Sequence, residues 1–278
     1  MEHFNFSQGG REWNEDRAYS CEDFAFVLDG ATSLYPEKYS NFSTDAEWYS
    51  NWWCEYLKIE LHNKKITIPE ILKNGLKKVT KEYLKLAAGN PMQDFPSCTV
   101  SIVRRNNGNL EIYSLTDSSI IVKSKTGITI LIQDPLNFVK DAFVIMKIKD
   151  LAEKNGISLL DSRKKYGYLV QDGRQKKNKF GGYYVLSNEV SAVEHGIYSS
   201  VEESIIDKVL ILSDGYSQVF DVVKFLTAEK LIDKINNLND VKKIYKTLKT
   251  KQCNDLGGEK YLRFKVSDDA SLAFMKFD

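Results

Sequence analysis

The sequence predicts a single α+β domain in which antiparallel sheets are faced by helices. Short apolar runs typical of strands recur in groups, an asparagine-rich turn joins two of them, and segments with helical periodicity lie between the groups. The 278 residues contain no internal repeat, no low-complexity segment and no Pro/Gly/Ser-rich linker. We therefore expect one domain that spans 1–278.

Strands are expected where apolar runs are too short for a helix. Phe24–Leu28 is rich in aromatic and branched side chains, which favours a buried strand. The turn at Asn106–Asn109 separates two alternating runs and is a strong hairpin signal. The full set of expected strands is Phe24–Leu28, Cys98–Arg104, Leu110–Leu115, Ile120–Lys123, Ile128–Ile132, Tyr183–Leu186, Ala192–Tyr198, Lys208–Leu212, Tyr261–Val266 and Ser271–Phe277.

Helices are expected in the intervals between these strands. The first runs from about Thr44 to Leu61 with Ser43 as its cap, and the second from Pro69 to about Ala88 with Gly89 closing it. The stripe expected to face the core in the first helix is Trp48, Trp52, Tyr56 and Ile59, and in the second Ile71, Leu72, Leu76, Val79, Tyr83 and Leu86. Later helices are expected near Asn137–Lys154, Ala228–Asn237 and Val241–Thr250, while Asn155–Asn178 is polar and gives no assignment.

Composition excludes several functional classes. Lys and Arg number 39 and Asp and Glu 38, which argues against general binding of nucleic acid. No apolar run approaches the length of about 20 residues that a membrane helix needs. The basic run Arg174–Lys179 lies between turn-like segments and is expected to be a solvated loop.

The N-terminal segment and the cysteines favour a cytoplasmic protein. Met1–Asn5 has no basic flank followed by an apolar stretch, so no secretory signal is expected. The cysteines show no CxxC spacing, and scattered single cysteines are typical of reduced packing residues. They are Cys21, Cys54, Cys98 and Cys253.

The familiar motifs of other enzyme classes are missing. The sequence has no GxxxxGK[ST] phosphate loop, no HExxH and no GxSxG. The three histidines, His3, His62 and His195, are far apart and are not expected to be essential. This makes a histidine-based triad or zinc site a poor interpretation.

Aspartates instead recur where apolar strands end. Asp29-Gly30 and Asp214-Gly215 each end such a run, Asp117 follows another, and Asp268-Asp269 precedes the last strand. Carboxylates at strand ends are held rigidly, and oxygen ligands suit hard divalent ions. Converging acids repel each other unless a cation is bound. Asp-Gly is also ordinary turn chemistry, and we interpret Asp172-Gly173, among polar neighbours, as a turn.

The order of these segments resembles the PPM family, the metal-dependent type 2C protein serine/threonine phosphatases. Six segments in chain order carry the resemblance and span nearly the whole sequence. They are Arg11–Arg17, Val27–Gly30, Ser97–Thr99, Thr116–Ser119, Leu212–Gly215 and Asp268–Ser271. The resemblance implies a four-layer α-β-β-α sandwich of two mainly antiparallel sheets flanked by helices, and a variable flap-like segment at about 137–180.

The resemblance also implies a centre of two Mn²⁺ or Mg²⁺ ions and a weaker third ion. Asp29 would bridge two ions, with the Gly30 carbonyl as a further ligand. Asp214 and Asp268 would complete the ligands of the first ion, and Glu15 or Asp16 would bind the second directly or through water. Asp117, together with Asp214, would hold the third ion. Arg11 would grip the phosphate through its bidentate fork, so that Arg11, Asp29 and Asp214 form the catalytic set. The implied substrate is a phosphoprotein, and a Ser/Thr kinase is an implied partner.

Three positions depart from the family pattern. Ala31 stands where a histidine proton donor is common, Ser119 replaces an arginine and Thr116 a glycine. A catalytically weak or inactive regulatory module that binds a kinase or phosphorylated partner is therefore the alternative. Val27–Thr32 also superficially resembles the Asp-x-Asp-Gly-Thr motif of haloacid-dehalogenase-type phosphatases. That class needs an aspartate nucleophile where Val27 stands, so it is disfavoured. Within the flap, Asn155–Lys179 is predicted to shape substrate choice.

Overall fold

The computed structural model describes residues 1–34, 38–88, 95–263 and 265–278, and of 135–142 only the backbone. In these ranges the strands are β1 (Glu2–Gln8), β2 (Arg17–Ser20), β3 (Phe24–Ala31), β4 (Ser97–Asn106), β5 (Asn109–Leu115), β6 (Ser119–Ser124), β7 (Thr129–Ile132), β8 (Ile197–Glu202), β9 (Ile206–Leu212) and β10 (Ala270–Lys276). The α-helices are α1 (Asp45–Glu60), α2 (Ile68–Leu86), α3 (Pro135–Asn155), α4 (Leu159–Lys165), α5 (Tyr168–Arg174), α6 (Asp214–Ser217), α7 (Ala228–Lys234) and α8 (Leu238–Cys253). Two 3-10 helices cover Val190–His195 and Glu203–Ile205.

The strands form two five-stranded sheets. The first has the order β1-β10-β9-β6-β7 and the second β2-β3-β4-β5-β8. Each pairing is antiparallel, with Asp29 opposite Thr99 between β3 and β4 and Leu212 opposite Leu272 between β9 and β10. The hairpin at Asn107 and Gly108 uses positive φ angles of 51° and 78°, as the asparagine-rich turn predicts.

Three buried clusters define four layers. Alternate residues of β3 divide between two of them: Phe24, Phe26 and Leu28 pack against α1 and α2, while Ala25 and Val27 pack against the other sheet. The third cluster joins β9 and β10 to α7 and α8. The layers follow the order α-β-β-α, which confirms the predicted fold class.

The first two helices begin at threonines that cap them. The Thr44 hydroxyl accepts the Glu47 amide at 3.0 Å, so Thr44 and not the predicted Ser43 caps α1. Thr67 and Glu70 form a reciprocal capping box, with Pro69 in the first turn of α2. The predicted closing glycine of α2 lies outside the described residues.

The predicted buried face of α1 was wrong by one residue. Tyr49, Trp53 and Leu57 are fully buried, whereas Ile59 is 73% exposed. The predicted Trp48, Trp52 and Tyr56 flank this face and are partly buried. Aromatic residues lie both on the buried face of α1 and beside it, so the spacing of apolar residues alone could not decide which of them face the sheet. In α2 the predicted stripe is buried except for the terminal Leu86, which is 44% exposed.

Three predicted strands are absent from the described residues. Tyr183–Leu186 and the described residues of Tyr261–Val266 are irregular, although Leu186 pairs with Cys98 in an isolated bridge. Ala192–Tyr198 is mostly the 3-10 helix Val190–His195, followed by the start of β8. Conversely β1 and β2 were not predicted, because as an edge strand β1 has few buried side chains and β2 has only four residues.

The flap contains more regular structure than the polar composition suggested. Its unassigned part forms α4 and α5, and Asp172-Gly173 lies within α5 and is not a turn. The basic run is not merely a solvated loop, because Arg174 donates to the Thr32 carbonyl and Lys177 Nζ donates to the Phe95 carbonyl at 2.6 Å. None of the described helices is long and apolar enough to cross a membrane.

Candidate metal centre

Two of the predicted aspartates meet where the two sheets open at one end. By strand alternation Asp29 continues the inter-sheet row of Ala25 and Val27, and Asp214 begins the helix that follows β9. Both side chains are partly buried, so they lie deep in a cleft that still reaches solvent. Each carboxyl group lies close enough to the other to perturb its pKa.

The pKa values of this pair reflect burial and mutual repulsion. Burial, then Asp16 and Asp214, raise the pKa of Asp29 well above its ordinary value. Burial and then Asp268 raise the pKa of Asp214 to about 7. Asp117 adds to the repulsion at Asp29. A bound cation would remove this penalty, since an opposite charge favours the ionised form.

Asp16 is the most deeply buried acid of the cluster. It is 1% exposed, and neither carboxylate oxygen makes a hydrogen bond of ordinary geometry, although the Ser213 hydroxyl is close enough to favour its charged form. Burial, followed by the charges of Asp269, Asp214 and Asp268, raises its pKa well above the ordinary value. Buried polar atoms are normally satisfied, so these two oxygens indicate a ligand position.

Glu15 is held by two threonine hydroxyls. Thr44 donates to its Oε1 at 2.6 Å and Thr32 to its Oε2 at 2.5 Å. Burial raises the pKa of Glu15 despite these hydrogen bonds. Both carboxylate oxygens are thus engaged by protein groups, whereas those of Asp16 are not. This contrast favours Asp16 over Glu15 as the direct ligand of the pair.

Asp269 fixes the loop that carries these two acids. Its carboxylate accepts the Gly10 and Glu15 amides, each at 2.7 Å. Hydrogen bonds to a charged acceptor are the stronger kind. Asp269 therefore has a positioning role that the sequence did not reveal.

Asp268 makes an ion pair with a lysine. Lys265 Nζ lies 2.7 Å from Asp268 Oδ1. Burial lowers the pKa of Lys265, but the charges of Asp268 and then Asp214 raise the pKa by more than burial lowers it, so the net shift is upward. Lys249 donates to the carbonyl oxygen of Asp268 at 2.9 Å. Neither lysine was predicted, because Lys265 lies in an irregular segment and Lys249 is one of many lysines on α8, so neither position gives a pattern to recognise.

Asp117 follows a strained residue. Thr116 has a φ of 80°, a region that branched side chains avoid, at the position where the related family has glycine. Its hydroxyl donates to the Tyr184 carbonyl. The adjacent Ser118 shares a 2.6 Å hydrogen bond with Thr99, which pairs with Asp29. Asp117 is thereby placed beside Asp29.

Two glycines permit the close approach of the acidic segments. A Cβ on Gly30 would lie 2.6 Å from the Glu15 carbonyl oxygen. A Cβ on Gly215 would lie 1.9 Å from the Asp269 carbonyl oxygen. Gly30 and Gly215, the glycines that follow Asp29 and Asp214, are thus required by packing. This packing brings β3, β9 and the segment before β10 together.

Arg11 is exposed and lies on the loop between β1 and β2. Its guanidinium stacks over Trp13, 5.8 Å from the ring centroid. The Gly10 amide, next to it in sequence, is fixed by Asp269. The structure therefore leaves the Arg11 side chain free to reorient in solvent.

The donor set fits hard divalent cations. Among the described residues no three acidic, histidine or cysteine side chains already have the geometry of a formed metal site. The unsatisfied oxygens of Asp16 and the mutual repulsion of Asp29 and Asp214 nevertheless mark a pocket whose charge a cation would neutralise. Of the predicted ligands, Glu15, Asp16, Asp29, Gly30, Asp117, Asp214 and Asp268 are all brought into this one region.

Solved bacterial phosphatases share this fold. Stp1 of Staphylococcus aureus, a serine/threonine phosphatase, superposes with a TM-score of 0.59 at 13% identity, covering 100% of this chain and 95% of that chain. The serine/threonine phosphatase PstP/Ppp of Mycobacterium tuberculosis gives 0.58 at 14%, covering 100% and 98%. The catalytic domain of PstP in complex with two manganese ions gives 0.57 at 14%, covering 98% and 96%. At these identities the likeness establishes the fold.

The sequence itself matches a family model. The model described as Protein phosphatase 2C matches residues 12–252. The chain therefore belongs to the protein phosphatase 2C family, a family of hydrolases that act on phosphoproteins. No curated protein matches the chain.

Proposed function

We propose that this protein hydrolyses phosphoserine and phosphothreonine in proteins with the help of divalent cations. The observation that carries the proposal is the convergence of Asp16, Asp29 and Asp214 in one cleft, where their charges are mutually unfavourable. Mn²⁺ or Mg²⁺ would be held by these side chains together with Asp268 and the Gly30 carbonyl. Asp117 would serve a weaker third ion.

The protein's own contribution is to hold charge in a rigid arrangement. When bound, a pair of ions would activate the attacking water and neutralise the phosphoryl oxygens. The hydroxyls of Thr32 and Thr44 orient Glu15, and Asp269 fixes the backbone between Gly10 and Glu15. These hydrogen bonds hold the side chain of Glu15 and the backbone that carries it in one orientation.

Arg11 is proposed to bind the substrate phosphate. A guanidinium forms two parallel hydrogen bonds to a phosphate, and its present partner is only the face of Trp13. Ala31 cannot donate a proton to the leaving group, so we propose that solvent in the open cleft does so. No covalent nucleophile is required in this scheme.

The flap is proposed to influence substrate choice. Arg174, at the end of α5, donates to the Thr32 carbonyl, and Thr32 in turn holds Glu15. The flap thus contacts the rim of the cleft. Replacing 155–179 by the equivalent loop of a relative should change the ranking of phosphopeptide substrates more than the affinity for Mn²⁺. The reverse result would contradict this role.

A Ser/Thr kinase that phosphorylates the same substrates is the proposed functional counterpart, and the cytoplasm is the proposed location. The latter is supported by the four free cysteines Cys21, Cys54, Cys98 and Cys253. We also propose that residues 1–278 fold as one domain.

The central test is Mn²⁺-dependent turnover of an aryl phosphate and of a phosphothreonine peptide. We expect chelator to abolish activity and Asp29→Ala to reduce it by about a thousandfold or more. Asp207→Ala is the matched control, since Asp207 lies on β9 at the end opposite Asp214. Full wild-type activity after chelation would refute metal dependence.

The alternative is a regulatory module without turnover. Ala31 and Ser119 at positions that depart from the family pattern favour it. It predicts no Mn²⁺-dependent turnover of either substrate, together with retained binding of a phosphopeptide. Measurable turnover that Asp29→Ala removes would exclude it.

A further inference from the structure

A lysine lies inside the cluster of acids that the proposed function assigns to metal. Lys265 precedes Asp268 by three residues, and its Nζ is 2.7 Å from Asp268 Oδ1. Its charge also acts on Asp214, Asp29 and Glu15. The ammonium therefore occupies a position from which it partly neutralises several of the carboxylates that divalent cations would otherwise neutralise.

Lys265 can leave this position without disturbing the core. Its side chain is 37% exposed, and it belongs to an irregular segment between α8 and β10. Four rotatable bonds give the ammonium a wide reach into solvent. An ammonium and a divalent cation cannot both approach the same carboxylate oxygen closely, because like charges repel.

We propose that Lys265 is a tethered counter-ion that competes with divalent cations for Asp268. It stabilises the acidic cluster when no metal is bound, and it must withdraw from Asp268 Oδ1 when a cation binds that oxygen. The affinity for Mn²⁺ is consequently lower than the carboxylates alone would give. This role rests on the proposed function, because it needs Asp268 to be a metal ligand.

Lys249 offers a sharp comparison. It carries the same charge and donates to the backbone carbonyl of Asp268 at 2.9 Å and to the Ser267 hydroxyl, but it makes no contact with the Asp268 carboxylate. If contact with the carboxylate matters, removing Lys265 must change metal affinity more than removing Lys249. If only the general field matters, the two changes must be alike.

The test is direct titration of Mn²⁺ into chelator-stripped protein, with free Mn²⁺ followed by electron paramagnetic resonance. We expect Lys265→Met to bind Mn²⁺ at least about tenfold more tightly than wild type, Lys265→Arg to bind like wild type, and Lys249→Met to change by less than about threefold. Lys265→Arg keeps the charge and guards against loss of fold.

Thermal unfolding gives a second readout. Without metal, Lys265→Met should unfold at a lower temperature than wild type, because the acids lose a neighbouring cation. With saturating Mn²⁺ its gain in Tm should exceed that of wild type. Equal or weaker Mn²⁺ binding by Lys265→Met, or equal tightening by Lys249→Met, would overturn the proposal. Failure of wild type and all variants to bind Mn²⁺ would instead refute the proposed function, and this role with it.

Discussion

Replacing Asp214 by asparagine should stabilise the metal-free protein above neutral pH while removing its response to metal. The pKa of Asp214 is raised from 3.8 to about 7 by burial and then by Asp268. A raised pKa means that the folded state favours the protonated form, so the associated stability is present below about pH 4 and is lost as the pH rises through about 7. Asparagine has nearly the size of aspartate but no charge, so it removes the repulsion with Asp29 and Asp268 at every pH.

The size of this effect follows from the shift. At 1.36 kcal/mol for each pKa unit, the displacement to about 7 corresponds to at most about 4 kcal/mol. Solvent access and the coupling with Asp29 reduce this, so we expect a gain of about 2–4 kcal/mol at pH 8. For a chain of this length such a gain raises Tm by about 4–8 °C.

The assay is differential scanning calorimetry in chelator at pH 4 and pH 8, with Asp207→Asn as the control. We expect most of the gain at pH 8 to be lost near pH 4, where Asp214 is protonated in the folded state and begins to be protonated in the unfolded state. With Mn²⁺ at a thousandfold excess over Kd the order should reverse, since only wild type gains fully from binding, by about 4.1 kcal/mol. An Asp214→Asn variant that unfolds below wild type in chelator at pH 8 would refute the reasoning.

Three further predictions concern other parts of the molecule. Arg104 is fully buried and paired with Glu111 at 2.6 Å. Arg104→Met should lower the free energy of unfolding in urea by about 3–5 kcal/mol, and adding Glu111→Leu should restore much of that loss. An Arg104→Met variant whose free energy of unfolding stays within about 1 kcal/mol of wild type would contradict this. Gly215→Ala places a Cβ 1.9 Å from a backbone oxygen and should destabilise by about 2 kcal/mol or more, whereas Gly173→Ala, with open space, should not. Arg11→Ala should lower kcat/KM about a hundredfold without changing Mn²⁺ affinity, and Arg11→Lys should not rescue it; weakened Mn²⁺ binding would assign Arg11 a structural role instead.

The acidic set could be predicted because its geometry is local. Asp29 and Asp214 each end a short, continuous apolar run, so their place at a sheet end follows from the strand itself. Strands β3 to β7, β9 and β10 and the long helices α1, α2 and α8 followed from periodicity and hairpin chemistry, whereas the division into two sheets was implied by the family resemblance. The approach of Asp29 and Asp214 from two different sheets has no local signature.

Other features depend on contacts that the sequence does not encode locally. Trp48 and Tyr49 are both aromatic, and only packing against the sheet decides that Tyr49 is fully buried. The apolar residues around Ala192 were predicted as a strand, but they form a 3-10 helix against the core. Lys265 belongs to the same class of omission, since its ion pair with Asp268 depends on the path of an irregular segment.

The grip of Asp269 on Gly10 and Glu15 spans 259 and 254 positions of the chain. During synthesis the loop from Gly10 to Asp16 therefore lacks its anchor until the segment before β10 has been made. A shortened polypeptide that lacks this anchor should be unable to assemble the cleft, however well its two sheets begin to form. The loop that carries Glu15 and Asp16 thus reaches its final position only when the segment before β10 has docked.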